Sequence, residues 1–261
     1  MTAKAGALAV VVARAGSKGL PGKNAIDFHG RPMICRTIEH ARAAETVDRI
    51  IVSTDGKMIA EAARSMNVEV VNRPAVLAND TAPVDAAVRH AVDQIGAAEQ
   101  IIVILYANVP LRPNGLLDRA VRMLMETGAD SVQSYTDVGK HHPYWMVSLD
   151  ADDRVKPYRA NAVYRRQDLP NLFIPDGGVI AVRRGSLFTV ADDDAGAFLG
   201  TDRRGIRSPA GSVIDVDTAV DLAVAQAMLA CGDDASGARR QTRHLAAAAK
   251  QTVGPLPPSS Q

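Results

Sequence analysis

The chain has 261 residues, 47% hydrophobic and 23% charged, with 30 Lys and Arg against 29 Asp and Glu. That size suits one generous α/β domain with a substantial core, and the near-neutral balance gives no global case for a nucleic acid or membrane partner. Cys35 and Cys231 fit no metal or redox spacing. The N-terminus lacks a signal-peptide progression and no apolar run nears the about 18 residues that cross a bilayer, so a soluble, cytoplasmic protein is expected.

The first predicted strand, LAVVVA at 8–13, leads directly into a glycine-rich loop, Arg14-Ala15-Gly16-Ser17-Lys18-Gly19-Leu20-Pro21-Gly22-Lys23-Asn24. The glycines permit tight turns and close approach, and Arg14, Lys18 and Lys23 bring the positive charge that a polyphosphate requires. The spacing is neither that of a Walker loop nor that of a dinucleotide fold, so the alternative is a plain basic surface loop.

Further strand-like runs follow at 49–53, 68–71, 101–105 and 130–134, with helical stretches between them at about 32–44, 57–66, 83–96 and 115–127. Such alternation implies βαβ units and a mostly parallel sheet flanked by helices, with ligands outside the carboxyl ends of the strands. The 14–24 loop, Ser53-Thr54-Asp55 and Tyr106-Ala107-Asn108 all fall at that edge. Asp55 reads best as turn or N-cap chemistry.

From about 137 to 171 the pattern becomes aromatic, proline-rich and charged, as an inserted excursion would. His141 and His142 read as packing or hydrogen-bonding residues. Trp145 and Tyr158 suit a pocket wall or a subunit contact. The sheet is expected to resume at 178–182, and a strand-like segment at 212–217 then leads into a helix at about 218–230. The domain thus covers 1–232, and 233–261 has the composition of a disordered tail with room for a short helix at 238–250.

Asp215 and Asp217 stand two apart, so in an extended segment both carboxylates point the same way. Paired hard oxygens suit Mg²⁺, which completes its shell with water and substrate phosphates; the alternative is a strand end with Asp217 as helix N-cap. No nucleophile arrangement for covalent catalysis stands out. Cations, an acid pair and the arginines at 165–166 together describe transfer at phosphorus on a nucleoside triphosphate.

Ala13-Arg14 through Ser17-Lys18-Gly19-Leu20-Pro21 and Lys23-Asn24 resembles the first motif of the acylneuraminate cytidylyltransferases. Arg49–Asp55, Arg73-Pro74-Ala75 with Asn79-Asp80-Thr81-Ala82, Pro110-Leu111-Arg112, His141-His142-Pro143 and Ile214–Thr218 resemble later motifs in order, over about residues 7 to 230. The resemblance implies a Rossmann-like nucleotidyltransferase fold with a dimerisation arm. It also implies attack of a sugar acid's anomeric hydroxyl on the α-phosphate of CTP, with pyrophosphate leaving.

By position, Arg14, Lys18 and Lys23 would hold phosphates with Ser17 beside them. Asn24, Arg73 and the Ala82 backbone would read cytidine. Asp215 and Asp217 would bind Mg²⁺, and Asp217 could also orient or deprotonate the attacking hydroxyl. In a homodimer Arg166 would reach the neighbouring subunit's sugar.

Three positions on the sugar side depart from the family: Tyr106 replaces a usual Gln, Trp145 stands where some members place Lys, and Ile174-Pro175-Asp176 replaces Arg-Pro-Asn. Fewer cations around a sugar carboxylate imply an acceptor other than N-acetylneuraminate, such as legionaminic or pseudaminic acid or a less acidic sugar. The alternatives are a same-fold enzyme for another sugar or base, such as a Kdo-type one, and a nucleotide-binding module without turnover.

Overall fold

The computed structural model describes residues 6–191 and 193–231; the expectation for a tail at 233–261 lies outside them. The elements run β1 Ala7–Val12, α1 Ile34–Ala43, β2 Val47–Thr54, α2 Lys57–Ser65, β3 Glu69–Asn72, α3 Val84–Gln94 and β4 Ile101–Tyr106. They continue with α4 Leu116–Thr127, β5 Ser131–Asp137, β6 Val147–Leu149, β7 Val155–Pro157, β8 Phe173–Arg183, α5 Arg184–Leu187 and β9 Arg203–Arg207. A last helix, α6, spans 219–231.

Seven strands form one sheet in the order β3-β2-β1-β4-β8-β5-β9. β1 is buried along its whole length because it pairs in parallel with β2 on one side and β4 on the other, under helices on both faces. Its uninterrupted apolar sequence is what a strand covered on both faces requires. The chain moves from β1 outward to β3 and then returns to the other side of β1 with β4, which makes the carboxyl edge between β1 and β4 a topological switch point. There the register aligns Val12 with Ser53 and with Tyr106, so three strand ends stop at one level.

The parallel expectation holds for β3, β2, β1 and β4, whereas β8 runs antiparallel to both β4 and β5. β5 leaves the sheet at its carboxyl edge, and the excursion returns β8 to the same edge, so β8 has to run the other way. β8 also begins earlier than the apolar run at 178–182 suggests. The excursion is built on β6 and β7, a small separate antiparallel pair whose residues are all exposed.

α4 shows how local sequence sets these elements. Leu116, Leu117, Ala120, Val121 and Leu124 recur at helical spacing and are buried, and Gly128, at φ +73°, ends the helix in the left-handed conformation. One apolar layer joins α1, α2 and α4 to the sheet; a second lies under α3 and α5. A third, smaller cluster is built on Phe28, Met33, Val216 and Ala225, with Leu111, Ile214 and Leu222 packed against it. That third cluster ties α6 and the acidic segment to the chain just after the glycine loop.

Cys35 is buried and Cys231 exposed. Among the described residues no helix is long and apolar enough to cross a membrane.

Candidate active site

The glycine loop and the acidic segment meet directly. A Cβ on Gly19 would lie 2.6 Å from the Asp217 carbonyl oxygen, so only glycine permits this approach. The close approach that Gly19 serves is thus to the protein's own chain. Gly22, at φ +67°, turns the loop into the short helical turn that carries Lys23 and Asn24. Lys23 is nearly buried and its ammonium forms an ion pair with Asp217 Oδ1.

Segment 212–217 is not a strand of the sheet. It makes one isolated bridge, Ile214 to Leu111, while Ile214 and Val216 pack in the third cluster and Val213 against the first. The pairing of the acids survives nonetheless: Val216 is fully buried, which turns the flanking carboxylates together to the opposite side. Asn108, two residues past β4, spans them. Its side-chain amide donates to Asp215 Oδ1 and, at 3.4 Å, to Asp217 Oδ1, while its backbone carbonyl accepts from Val216 N at 2.8 Å.

Asp217 is not the cap of α6. Thr218 Oγ1 accepts from Asp221 N at 3.3 Å, and Asp221 accepts from Thr218 N and Oγ1 at 2.8 Å each, a reciprocal cap that leaves the Asp217 side chain uncommitted to the helix.

Burial and the adjacent Asp217 carboxylate push Asp215 up to about 6, against the lowering influence of Lys23. Two carboxylates crowded this closely form a donor set that a hard divalent cation relieves, and Mg²⁺ needs only one or two protein carboxylates. Asp215 and Asp217 therefore fit the group expected of them, although no cluster of three or more metal-binding side chains occurs among the described residues.

The other two cations of the loop face Asp80. Arg14 Nη1 contacts Asp80 Oδ1 at 2.5 Å, and Lys18 Nζ lies 2.7 Å from Oδ2. Asn24 is buried and donates to the Arg14 carbonyl at 2.9 Å, but its own Oδ1 has no protein partner among the described residues. Ser17, the residue before Lys18, is half-buried.

Arg73 is buried, and its guanidinium donates to Ser53 Oγ at 3.2 Å and to the Ser53 carbonyl at 2.8 Å. It braces the end of β2 from within, and burial lowers its pKa. Ala82 follows the Asp80 turn and is half-buried. Asp55 neither caps α2 nor makes the local turn, which Thr54 Oγ1 closes by accepting from Gly56 N at 3.0 Å; its carboxylate instead accepts from Ala15 N at 2.8 Å and so ties the end of β2 to the glycine loop.

Beneath this edge lies Arg112, 6% exposed. It donates to Gly178 O at 2.6 Å, Tyr106 O at 2.9 Å, Thr37 Oγ1 at 3.0 Å and Val109 O. Burial pushes its pKa down to about 9, which leaves it charged at neutral pH, with Asp215 and Asp176 as the acids that favour the charge. Arg112 knits the turn bearing Asn108 to the bulged Asp176-Gly177-Gly178 stretch of β8.

Of the sugar-side residues, Tyr106 is half-buried against the second apolar layer, and burial, with Asp215 and Asp85 nearby, raises its phenol pKa. Asp176 Oδ1 accepts from Ser134 Oγ at 2.5 Å and from Gly178 N at 2.9 Å, and its Oδ2 is buried with no protein partner among the described residues.

Trp145 and Arg166 stand apart in the excursion. Trp145 lies 6.5 Å from the buried His142, which itself hydrogen-bonds to Pro170 O, and Arg166 pairs with Asp137 at 3.8 Å. Neither bonds to a cradle residue among the described residues.

Sequence reasoning gave no role to Asp80, Asn108 or Arg112. Asn108, directly after a strand and before Pro110, had a positional signal; Asp80, 66 residues from Arg14, had none that spacing could reveal.

A largely parallel sheet whose switch point gathers a cationic glycine loop and an acid pair has the layout of a nucleotidyltransferase. Residues 8–198 match the family described as Cytidylyltransferase. The chain is 31% identical over 174 residues to an N-acylneuraminate cytidylyltransferase of Streptococcus agalactiae, which covers 66% of this chain and 42% of that protein. It is 35% identical over 158 residues to a CMP-N,N'-diacetyllegionaminic acid synthase of Legionella pneumophila, covering 58% and 66%.

In fold it is similar to CMP:2-keto-3-deoxy-manno-octonic acid synthetase solved with CTP, at TM-score 0.68 and 17% identity over 87% of this chain and 99% of that one. The 4-diphosphocytidyl-2C-methyl-D-erythritol synthase of Anaerococcus prevotii gives a TM-score of 0.60 at 14% identity, with the same coverage. The chain belongs to the cytidylyltransferase family, and it spans less than half the length of the Streptococcus relatives.

Proposed function

We propose that the protein transfers CMP from CTP to the anomeric hydroxyl of a sialic-acid-like nonulosonic sugar, releases pyrophosphate and depends on Mg²⁺. The observation that carries this reading is the junction of Lys23, Asp217, Asn108 and Asp215 against Gly19, which sets a phosphate cation and a metal-suited acid pair side by side.

In this reading Arg14, Lys18 and Lys23 bind the phosphates, and Asn24 and the Ala82 backbone serve the cytosine. Arg73 acts on the base from behind by fixing Ser53. Asp215 and Asp217 would hold Mg²⁺, which when bound supplies charge stabilisation at the phosphoryl oxygens. Asp217, at the mouth of the site, takes up the proton of the attacking hydroxyl.

The sugar-acid relatives support the acceptor class, and the departures at Tyr106, Trp145 and Asp176 favour a sugar other than N-acetylneuraminate. A Kdo-type acceptor is the second reading, favoured by a 28% identical 3-deoxy-manno-octulosonate cytidylyltransferase of Arabidopsis thaliana. The excursion supports a homodimer: Met146, Val147, Leu149, Val155, Tyr158 and Tyr164 are all exposed, an apolar surface that a second subunit would cover. Trp145 and Arg166 would then serve the neighbour's sugar site. We assign the reaction to the cytoplasm.

Equilibrium binding of CTP, UTP, GTP and ATP tests the nucleotide half. CTP is expected to bind best and Mg²⁺ to strengthen it. Because Asp215 sits near 6, protons compete with the metal below that value, so the Mg²⁺ increment should shrink between about pH 7.5 and about pH 5. A pH-independent increment would remove Asp215 from the metal site, and preference for another base would overturn the cytidine reading.

A further inference from the structure

Asp80 occupies the cradle as an anion would. Its two carboxylate oxygens are divided between two cations of the glycine loop, Oδ1 on Arg14 and Oδ2 on Lys18. It stands at the tip of a short turn between β3 and α3. Asn79 fixes that turn, its Oδ1 accepting from Thr81 N and Oγ1 at 2.9 Å each and its Nδ2 donating to Val76 O at 2.8 Å. All three ionic side chains are substantially open to solvent, at 33% for Arg14, 84% for Lys18 and 41% for Asp80. Exposed ion pairs contribute little each and exchange readily, so the arrangement is one that a more highly charged anion can take apart.

Resting on the polyphosphate reading of the loop, we infer that Asp80 is an internal competitor for the phosphate site. It holds Arg14 and Lys18 in place when no phosphate is bound, yields them to the triphosphate, and takes them back when pyrophosphate leaves. A phosphate chain and the Asp80 carboxylate cannot share the two cations without bringing like charges together, so binding requires the Asp80 side chain to give them up. Asp80 thereby sets the affinity for polyphosphate below what the cations alone would give, which favours release of the leaving group.

The test compares the full chain with Asp80→Asn, which keeps the side-chain shape and removes the charge, using inorganic tripolyphosphate, pyrophosphate, CTP and cytidine as probes. Tripolyphosphate, pyrophosphate and CTP should bind the variant about five- to ten-fold more tightly, the combined worth of two exposed ion pairs, and the gain should fade with added salt. Cytidine, which has no phosphate, should change by less than about two-fold.

Unchanged or weaker tripolyphosphate binding in the variant would overturn the inference and make Asp80 a residue that orients the cations in the bound state. Failure of both proteins to bind tripolyphosphate would overturn it as well. Tighter tripolyphosphate binding with CTP bound no better than tripolyphosphate would uphold the competitor role and reject the cytidine assignment of the base site.

Discussion

Replacing Asp217 with alanine should reduce Mg²⁺-dependent turnover by about 100- to 1,000-fold, equivalent to the ~3–4 kcal/mol that charge stabilisation at a phosphoryl group supplies. The fold should persist. The Asp217 side chain is 65% exposed, the cap of α6 is made by Thr218 and Asp221, and the contact with Gly19 uses the Asp217 backbone. A melting temperature within about 4 °C of wild type is the corresponding expectation.

The change also deprives Lys23 of its partner, so Asp217→Asn is the companion variant, since its amide oxygen still accepts from the ammonium. If the asparagine variant is as inactive as the alanine one, the lost function belongs to the carboxylate and not to the orientation of Lys23. Turnover near the wild-type rate in Asp217→Ala would remove the residue from both the metal and the proton-transfer assignment.

Arg112→Met should be the most destabilising single change at this edge. Methionine fills similar volume but donates nothing to Gly178 O, Tyr106 O, Val109 O and Thr37 Oγ1. Tyr106 O still accepts from Val109 N at 3.3 Å and Val109 O from Thr37 Oγ1 at 3.1 Å, so the full cost of about 1–3 kcal/mol for an unpaired buried acceptor falls mainly on Gly178 O, and part of the total is recovered because a buried cation no longer has to be desolvated. The net expectation is a loss of about 2–4 kcal/mol, read as a fall in melting temperature on the order of 10 °C.

Arg112→Lys keeps the charge but cannot reach four acceptors from one ammonium, so it should restore less than half of that loss. Denaturant titration checks both. A loss below about 1 kcal/mol for Arg112→Met would mean that water or rearrangement satisfies those carbonyls and that the turn is held by other contacts.

The difference between Arg14 and Arg112 shows what the sequence could and could not reveal. Arg14 follows an apolar strand and sits among glycines, a pattern with a direct physical meaning. Arg112 is an arginine before a proline in an unremarkable stretch, and nothing local says that it turns inward, because apart from Val109 its acceptors come from α1, β4 and the middle of β8.

Arg73 is the converse case: a cation placed at the base by resemblance has its guanidinium held by Ser53, since burial at the end of β2 demands partners for its donors. The strand positions of the parallel half were legible from periodicity, while the reversal of β8 depended on where the excursion re-enters the sheet. The acid pair was legible as alternation, but the reason it works is Val216 packing into the third cluster and not membership of a strand.

The most direct measurement is turnover of CTP by the purified chain with Mg²⁺ and a panel of acceptors comprising N-acetylneuraminic, legionaminic and pseudaminic acids and Kdo, following pyrophosphate and CMP-sugar together. The account expects both products in equal amounts with a nonulosonic acid, with little turnover of N-acetylneuraminate and no product when UTP replaces CTP. Equal turnover of UTP, or no pyrophosphate with any acceptor while CTP binds normally, would contradict the assignment of CMP transfer to this site.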